Sequence, residues 1–181
     1  MPSQRAIAPA TQRFGQANFR ALYDAYFSFV WRCLRGLGVR EPQLDDAVQE
    51  VFMVVHRRLP EFRGDSSVRT WIYAILRGTA ANYRRGQRRK GSGVPLDVRL
   101  PDHGPGPEQR LQHRQQAFFV ERFVAGLSDE RRDVFVLALL DQLTIPEVAE
   151  TLGIPLNTAY TRLRAVRLEF QKALKQQRDE L

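Results

Sequence analysis

Cys33 is the only cysteine in 181 residues. One thiol cannot build an internal disulfide or a multi-cysteine metal site, which excludes disulfide scaffolds and zinc ribbons and fits a reducing interior. Histidine is almost as scarce: His56, His103 and His113 are scattered, two of them in or beside a Gly/Pro-rich stretch. No metal and no cofactor is therefore expected. A glycine-rich phosphate loop and a nucleophile elbow are also missing, so no catalytic residue and no enzyme is expected. No window approaches the roughly 18 uninterrupted apolar residues of a membrane span. The opening MPSQRAIAPATQRFGQ holds no signal-type apolar run, and the expectation is a cytoplasmic chain without stable membrane insertion. Strand-type alternation and internal repeats are lacking throughout, which leaves an all-α fold.

Positive charge is what the chain has in excess: 28 Lys and Arg against 20 Asp and Glu, a net +8 that favours polyanionic partners, nucleic acid first. It is unevenly placed. Residues 1–90 carry 16 basic and 7 acidic side chains (+9), residues 91–127 carry 4 of each, and residues 128–181 carry 8 and 9 (−1).

Apolar spacing follows the helix. Phe19, Leu22, Tyr23, Tyr26, Phe27, Val30, Trp31 and Leu34 trace one stripe that Gly36 and Gly38 end. Pro42 marks a first turn, and Leu44, Ala47, Val48, Val51, Phe52, Val55 and Leu59 make a second stripe that stops at Pro60. Ser66 or Ser67 is placed to cap a third helix with Val68, Trp71, Ile72, Ile75 and Leu76 inward, running through Tyr83. From Gly86 to about Pro107 the chain turns Gly- and Pro-rich and loses its period, as a linker does. Helical spacing resumes near Leu111 with Phe118, Phe119, Phe123 and Val124. Ser128, Asp129 and Glu130 open a helix carrying Val134, Phe135, Ala138 and Leu139. Thr144 and Glu147 form a T-x-x-E capping box for a short helix through Val148, Ala149 and Leu152, closed by Gly153. Leu156, Ala159, Leu163, Val166 and Phe170 are the inward stripe of a last helix reaching about Gln176. The expected architecture is two small helical domains: a flexible N-terminus 1–15, a three- or four-helix domain 16–90, a flexible linker 91–110 and a four-helix domain 111–181.

Three constellations stand out. Residues 144–167 read as a helix-turn-helix, whose second helix enters the major groove with its N-terminal exposed side chains on base edges. Asn157, Thr158, Tyr160, Thr161 and Arg164 are so placed, with Arg162 and Arg167 adding charge. From Leu156 to Arg178 six cations face one Glu169, whereas residues 128–155 hold two cations and six acids. The second constellation is YRRGQRRK, residues 83–90, five cations in eight residues that can grip a phosphate backbone. Upstream of it Arg63, Arg69, Trp71, Tyr73 and Arg77 mix cations with aromatics, a combination suited to stacking on unpaired bases, although Trp71 also fits the core stripe. The third is Asp45, Asp46, Gln49, Glu50, Met53 and His56 on the outer face of the second helix, which either docks a basic partner or balances charge.

Four segments in order, Asp46–Phe52, Phe62–Tyr73, Leu127–Phe135 and the helix-turn-helix, resemble the extracytoplasmic-function group of the sigma-70 family over residues 18–90 and 111–177. The resemblance implies a first domain that binds RNA polymerase and the promoter −10 element and a second that binds the −35 element. It assigns Asp46, Gln49 and Glu50 to polymerase binding and gives Phe52 a packing part. The segment around Phe62, Arg63, Asp65 and Ser66 is similar to a loop that captures a flipped base, with Arg69, Arg77, Asn82, Arg84 and Arg85 holding the opened strand. The implied partners are core RNA polymerase, promoter DNA and an anti-sigma factor. Gly78 stands where the family often has asparagine, so no base contact is carried to it. Tyr160-Thr161 replaces a common lysine-serine pair. Two other readings share the helix-turn-helix: a recombinase or nuclease using Asp45, Asp46 and Glu50, and a dimeric repressor that needs no polymerase.

Overall fold

The computed structural model describes residues 16–90 and 118–179. The expected flexible N-terminus, the linker 91–110 and the helix start near Leu111 lie outside them. Seven α-helices are described: α1 (Gln16–Gly36), α2 (Glu41–Arg58), α3 (Val68–Lys90), α4 (118–126), α5 (Asp129–Phe135), α6 (Ile145–Leu152) and α7 (Leu156–Asp179). A 3₁₀ turn, Leu59–Glu61, follows α2, and a π-helical turn, Val136–Leu140, continues α5. The described residues contain no strand, and none of their helices is long and apolar enough to cross a membrane.

The ends of these helices follow from local chemistry. At the end of α1, Gly38 takes φ +91°, and the Val39 and Gly38 amides donate to the carbonyls of Leu34 (3.1 Å) and Arg35 (3.0 Å). That is the paired pattern of a glycine-terminated helix. Gly153, at φ +63°, ends α6 with the same pair of bonds, from Ile154 to Ala149 (3.0 Å) and from Gly153 to Glu150 (3.2 Å). Of the two candidate caps for α3, Ser67 is the one used: its Oγ accepts from the Thr70 amide at 3.1 Å. The capping box of α6 forms as expected, the Thr144 amide donating to Glu147 Oε2 at 2.8 Å.

Helices α1, α2 and α3 pack around Val30, Leu34, Leu44, Val51, Val55, Ile72 and Leu76, all essentially without exposure. Each such side chain contributes roughly 1.5–3 kcal/mol by leaving water. A second cluster gathers Val124, Leu127, Phe135 and Val166, with Phe123 and Phe170 packed ring to ring at 5.0 Å. Three-helix and four-helix units are thus present, but their cores are not separate. Val134, Val136, Leu137, Leu143 and Val148 join the core of the first unit, because the π turn packs on α1 and α6 packs on α3.

This junction changes three expectations. Phe29 and Cys33, off the expected α1 stripe, are buried, while Tyr23 and Phe27, on it, are exposed. The stripe rotates because α1 is covered on two sides. Val136 and Leu137 are buried where Ala138 and Leu139 were expected inward, since the five-residue π turn shifts the α-helical period. Tyr73, grouped with side chains suited to stacking on bases, is 1% exposed and has no face to offer a base.

Candidate nucleic-acid interface

The turn between α6 and α7 fixes the helix-turn-helix. Pro155 precedes the first residue of α7, and its carbonyl accepts from the Ala159 amide at 3.1 Å. Ala159, Leu163 and Val166 turn inward. The opposite face presents Asn157, Tyr160, Thr161, Arg164 and Arg167, all exposed and at spacings of three and one, so they line one strip. Tyr160 is 54% exposed, an unusual position for an aromatic ring with no neighbour to cover it. Thr161 returns its hydroxyl to the Asn157 carbonyl at 2.9 Å. Thr158 is half-buried. Arg162, expected among the DNA contacts, is also half-buried and its Nη2 lies 3.0 Å from Glu130 Oε2, bracing α7 against α5.

A buried arginine, which sequence reasoning did not single out, holds that frame. Arg132 is 2% exposed. Its Nε donates to the Val124 carbonyl (2.9 Å) and its Nη2 to those of Leu127 (2.6 Å) and Ala125 (3.3 Å), closing the C-terminus of α4. Its Nη1 pairs with Asp129.

The basic helix of the first unit is differently disposed. Arg63, Asp65 and Ser66 are exposed on the segment before α3, where Gly64 turns the chain at φ +79°. Phe62 is buried, its ring centroid 4.8 Å from that of half-buried Trp71. Arg69 lies over the Phe29 ring at 5.5 Å. Arg85 is exposed and donates to the side-chain amide oxygen Oδ1 of Asn82, three residues back. Arg77 and Arg84 point into the junction between units: Arg77 Nε lies 2.8 Å from Asp133 Oδ2, and Arg84 Nη2 lies 2.9 Å from Asp129 Oδ1. Tyr73 donates to Asp133 Oδ1 at 2.9 Å. Burial raises the Asp133 carboxyl above its ordinary range, opposed by the Arg77 charge and the Tyr73 hydrogen bond. Burial, reinforced by the Asp133 charge, likewise raises the Tyr73 phenol.

The outer face of α2 splits in two. Asp46 is exposed and Glu50 half-buried; burial, then the Glu50 charge and the hydrogen bond it accepts, raise the Tyr83 phenol of α3. Gln49 turns the other way, into an open groove of about 860 Å³ between α1 and α2. Tyr23 and Phe52 face each other there at 4.5 Å, Phe19 meets the His56 ring edge-on at 4.9 Å, and Met53 is 56% exposed. The groove combines apolar walls with Asp45 and Gln49 at the rim. The sequence signal for it lay in Tyr23, Phe27 and Met53, which were available to read as two adjacent strips of apolar surface.

Comparison with known proteins gives a consistent picture. The family model for Sigma-70 region 2 matches residues 22–90, and that for Sigma-70 region 4 matches residues 120–170. The RNA polymerase sigma factor YlaC of Bacillus subtilis is 29% identical over 164 residues, 90% of this chain and 92% of that protein. The ECF RNA polymerase sigma-E factor of Escherichia coli is 31% identical over 127 residues, 65% of this chain and 66% of its own length. Among solved structures, CnrH in complex with the cytosolic domain of CnrY is similar at TM-score 0.70, with 21% identity and 92% of each chain covered. The sigma factor RpoE in complex with the anti-sigma factor NepR from Bartonella quintana is similar at TM-score 0.64, with 18% identity over 87% of this chain and 97% of that one. These two structures share the fold.

Proposed function

The chain belongs to the sigma-70 family of RNA polymerase sigma factors, in its extracytoplasmic-function group, and from that membership we propose how its surfaces divide the work of an alternative sigma factor directing promoter recognition in transcription initiation. The α1–α2 groove, rimmed by Gln49, with Asp46 and Glu50 on the adjoining face of α2, docks core RNA polymerase. The strip Asn157, Tyr160, Thr161, Arg164 and Arg167 reads the −35 duplex from the major groove. Arg63, Asp65, Ser66, Arg69, Arg77, Asn82, Arg84 and Arg85 follow the opened −10 strand, a task that suits cations spread along one helix and its leading loop.

The observation that carries this reading is the pairing, in one chain and in order, of a three-helix unit with region 2 character and a helix-turn-helix whose recognition strip is exposed. No covalent chemistry is called for: affinity for polymerase localises the chain, duplex contacts fix register, and binding of unpaired bases offsets unstacking, which costs a few kcal/mol per step. The chain acts as a non-catalytic factor in the cytoplasm, where polymerase and promoter are. Thr158 supports the strip from its flank, and Arg162 serves it by holding α7 in place. The groove and the acidic face of α2 also suit an anti-sigma factor, which would inhibit by covering the polymerase-docking surface.

Run-off transcription with purified core polymerase over a library of promoter fragments tests this. Initiation that depends on the added chain, shares two spaced boxes and falls with Asp46→Ala/Gln49→Ala is the expected result. DNA binding at palindromic sites with no polymerase-dependent initiation would instead establish a repressor.

A further inference from the structure

The recognition strip of α7 is set in place before any DNA arrives. Two ion pairs cross from α5 to α7: Glu130 Oε2 with Arg162 Nη2 at 3.0 Å, and Arg131 with Glu169. Arg162 and Glu169 stand about two turns apart on α7, so the pairs fix the rotation of the helix about its buried Ala159, Leu163 and Val166. A contact to a base edge needs such support, because about 1 Å of play is enough to lose it. Position along the helix then separates the members of the strip. At about 1.5 Å per residue, Arg164 lies about 10 Å beyond Asn157 along the axis, and the two point within about 20° of one another. Tyr160 stands between them in height and roughly 60° to one side; Arg167 continues the Tyr160 line, about 15 Å from Asn157. All four are exposed, and none is hydrogen-bonded or ion-paired through its side chain to another described residue. Thr161 differs: its hydroxyl proton goes to the Asn157 carbonyl at 2.9 Å and is not free to be donated to a base.

Each free group matches one kind of base edge in the major groove. A side-chain amide makes two bonds with adenine, donating to N7 and accepting from N6, and a guanidinium donates to both N7 and O6 of guanine. An aromatic ring has no such pair of bonds and packs on the methyl of thymine. The separation of about 10 Å between Asn157 and Arg164 equals about three base-pair steps. We propose that the −35 element this chain selects holds an adenine under Asn157 and, about three base pairs away, a guanine under Arg164, with a thymine methyl against Tyr160 between them. This rests on the assignment of the strip to the −35 duplex. Tyr160, 54% exposed in the free chain, gains cover for its ring in this way. Arg167, off the Asn157–Arg164 line and nearly one turn further from the start of α7, takes a phosphate and carries no sequence information.

The test uses the full chain assembled with core polymerase, on promoter fragments from which that holoenzyme initiates. Single atoms of the −35 bases are changed one at a time: 7-deazaadenine and 7-deazaguanine lack the N7 acceptor, and uracil lacks the thymine methyl. Binding is measured for the wild type and for Asn157→Ala, Tyr160→Ala, Tyr160→Phe and Arg164→Ala, all at exposed positions, with circular dichroism verifying the fold. One 7-deazaguanine should weaken the wild type about tenfold and leave Arg164→Ala unaffected, and one 7-deazaadenine about three base pairs away should do the same with Asn157→Ala. Uracil between them should cost about threefold, an effect lost in Tyr160→Ala and kept in Tyr160→Phe. Arg167→Ala should weaken binding to every promoter alike. Modified bases that bind as well as natural ones, penalties that persist in the matching variants, or penalties that all fall on one base pair overturn the assignment. If the variants still weaken binding in those cases, the strip keeps its −35 role as a grip on phosphates. Variants that bind every promoter as the wild type does overturn that role as well.

Discussion

Two basic helices, α3 and α7, to which the proposed function assigns the nucleic-acid contacts, are held in opposite ways. On α7 the outward cations Arg164 and Arg167 are exposed, while the inward one, Arg162, is spent on Glu130. On α3 Arg84, half-buried, and Arg77, whose side chain stays half exposed, are engaged by acids of the other unit, while Arg85 and, ahead of the helix, Arg63 are exposed. The difference teaches that net charge is a poor guide to where a basic protein presents its charge. The segment with the larger excess, residues 1–90 at +9, has its cations partly neutralised by the unit whose total is −1, and that unit keeps an open strip of its own.

The comparison breaks most severely if the frame beneath α7 fails. Replacing Arg132 by Met removes the buried donor to the carbonyls of Val124 in α4 and Leu127 just after it. A loss of about 3 kcal/mol or more is expected from the urea midpoint. Next in size, Arg164→Ala and Arg167→Ala should each weaken −35 duplex binding by about 1–3 kcal/mol if the contact is to a base, or flatten the salt dependence by about one unit if it is to phosphate. Arg162→Ala sharpens the contrast: it should lower thermal stability and leave the salt slope unchanged, because its charge already faces Glu130. A smaller and opposite effect is expected at Gly78. A Cβ there meets nothing within 4 Å, so Gly78→Ala should stabilise α3 by about 0.5–1 kcal/mol in thermal melts, with strand binding intact.

The smallest expected effect is one of pH. Hydrogen bonds from the Thr144 hydroxyl and amide lower the Glu147 carboxyl below its ordinary 4.5. A lowered acid binds fewer protons folded than unfolded, so its contribution is present in full above 4.5 and is lost as pH falls through the lowered value. Melts between about pH 6 and about pH 3 should show that loss in the wild type and a flatter profile in Glu147→Gln. An identical profile in both would contradict the capping role.

What could be read from the sequence was what is decided locally. Thr144 with Glu147, Gly38, Gly153 and the spacing from Asn157 to Arg167 each fix their own structure within a turn or two, and each appears as expected. What could not be read depends on partners distant in the chain. Asp133 reads as an ordinary acid on a helix surface until α3 is brought to it across 60 residues. Tyr73 reads as a stacking ring for the same reason. Arg162 has the composition of a phosphate contact and the environment of a brace. Val136 and Leu137 were displaced from the expected face by a π turn, for which the run VLALL gives no signal distinct from a continuing helix.

The central claim, that α3 and α7 serve different DNA elements, is tested most directly by photocrosslinking in a polymerase–promoter open complex. A benzoylphenylalanine is placed at Arg85 in one preparation and at Arg164 in another, both exposed positions. The account predicts that position 85 attaches to the opened strand of the −10 region and position 164 to the −35 duplex. Crosslinks from both positions to the same DNA segment would contradict it.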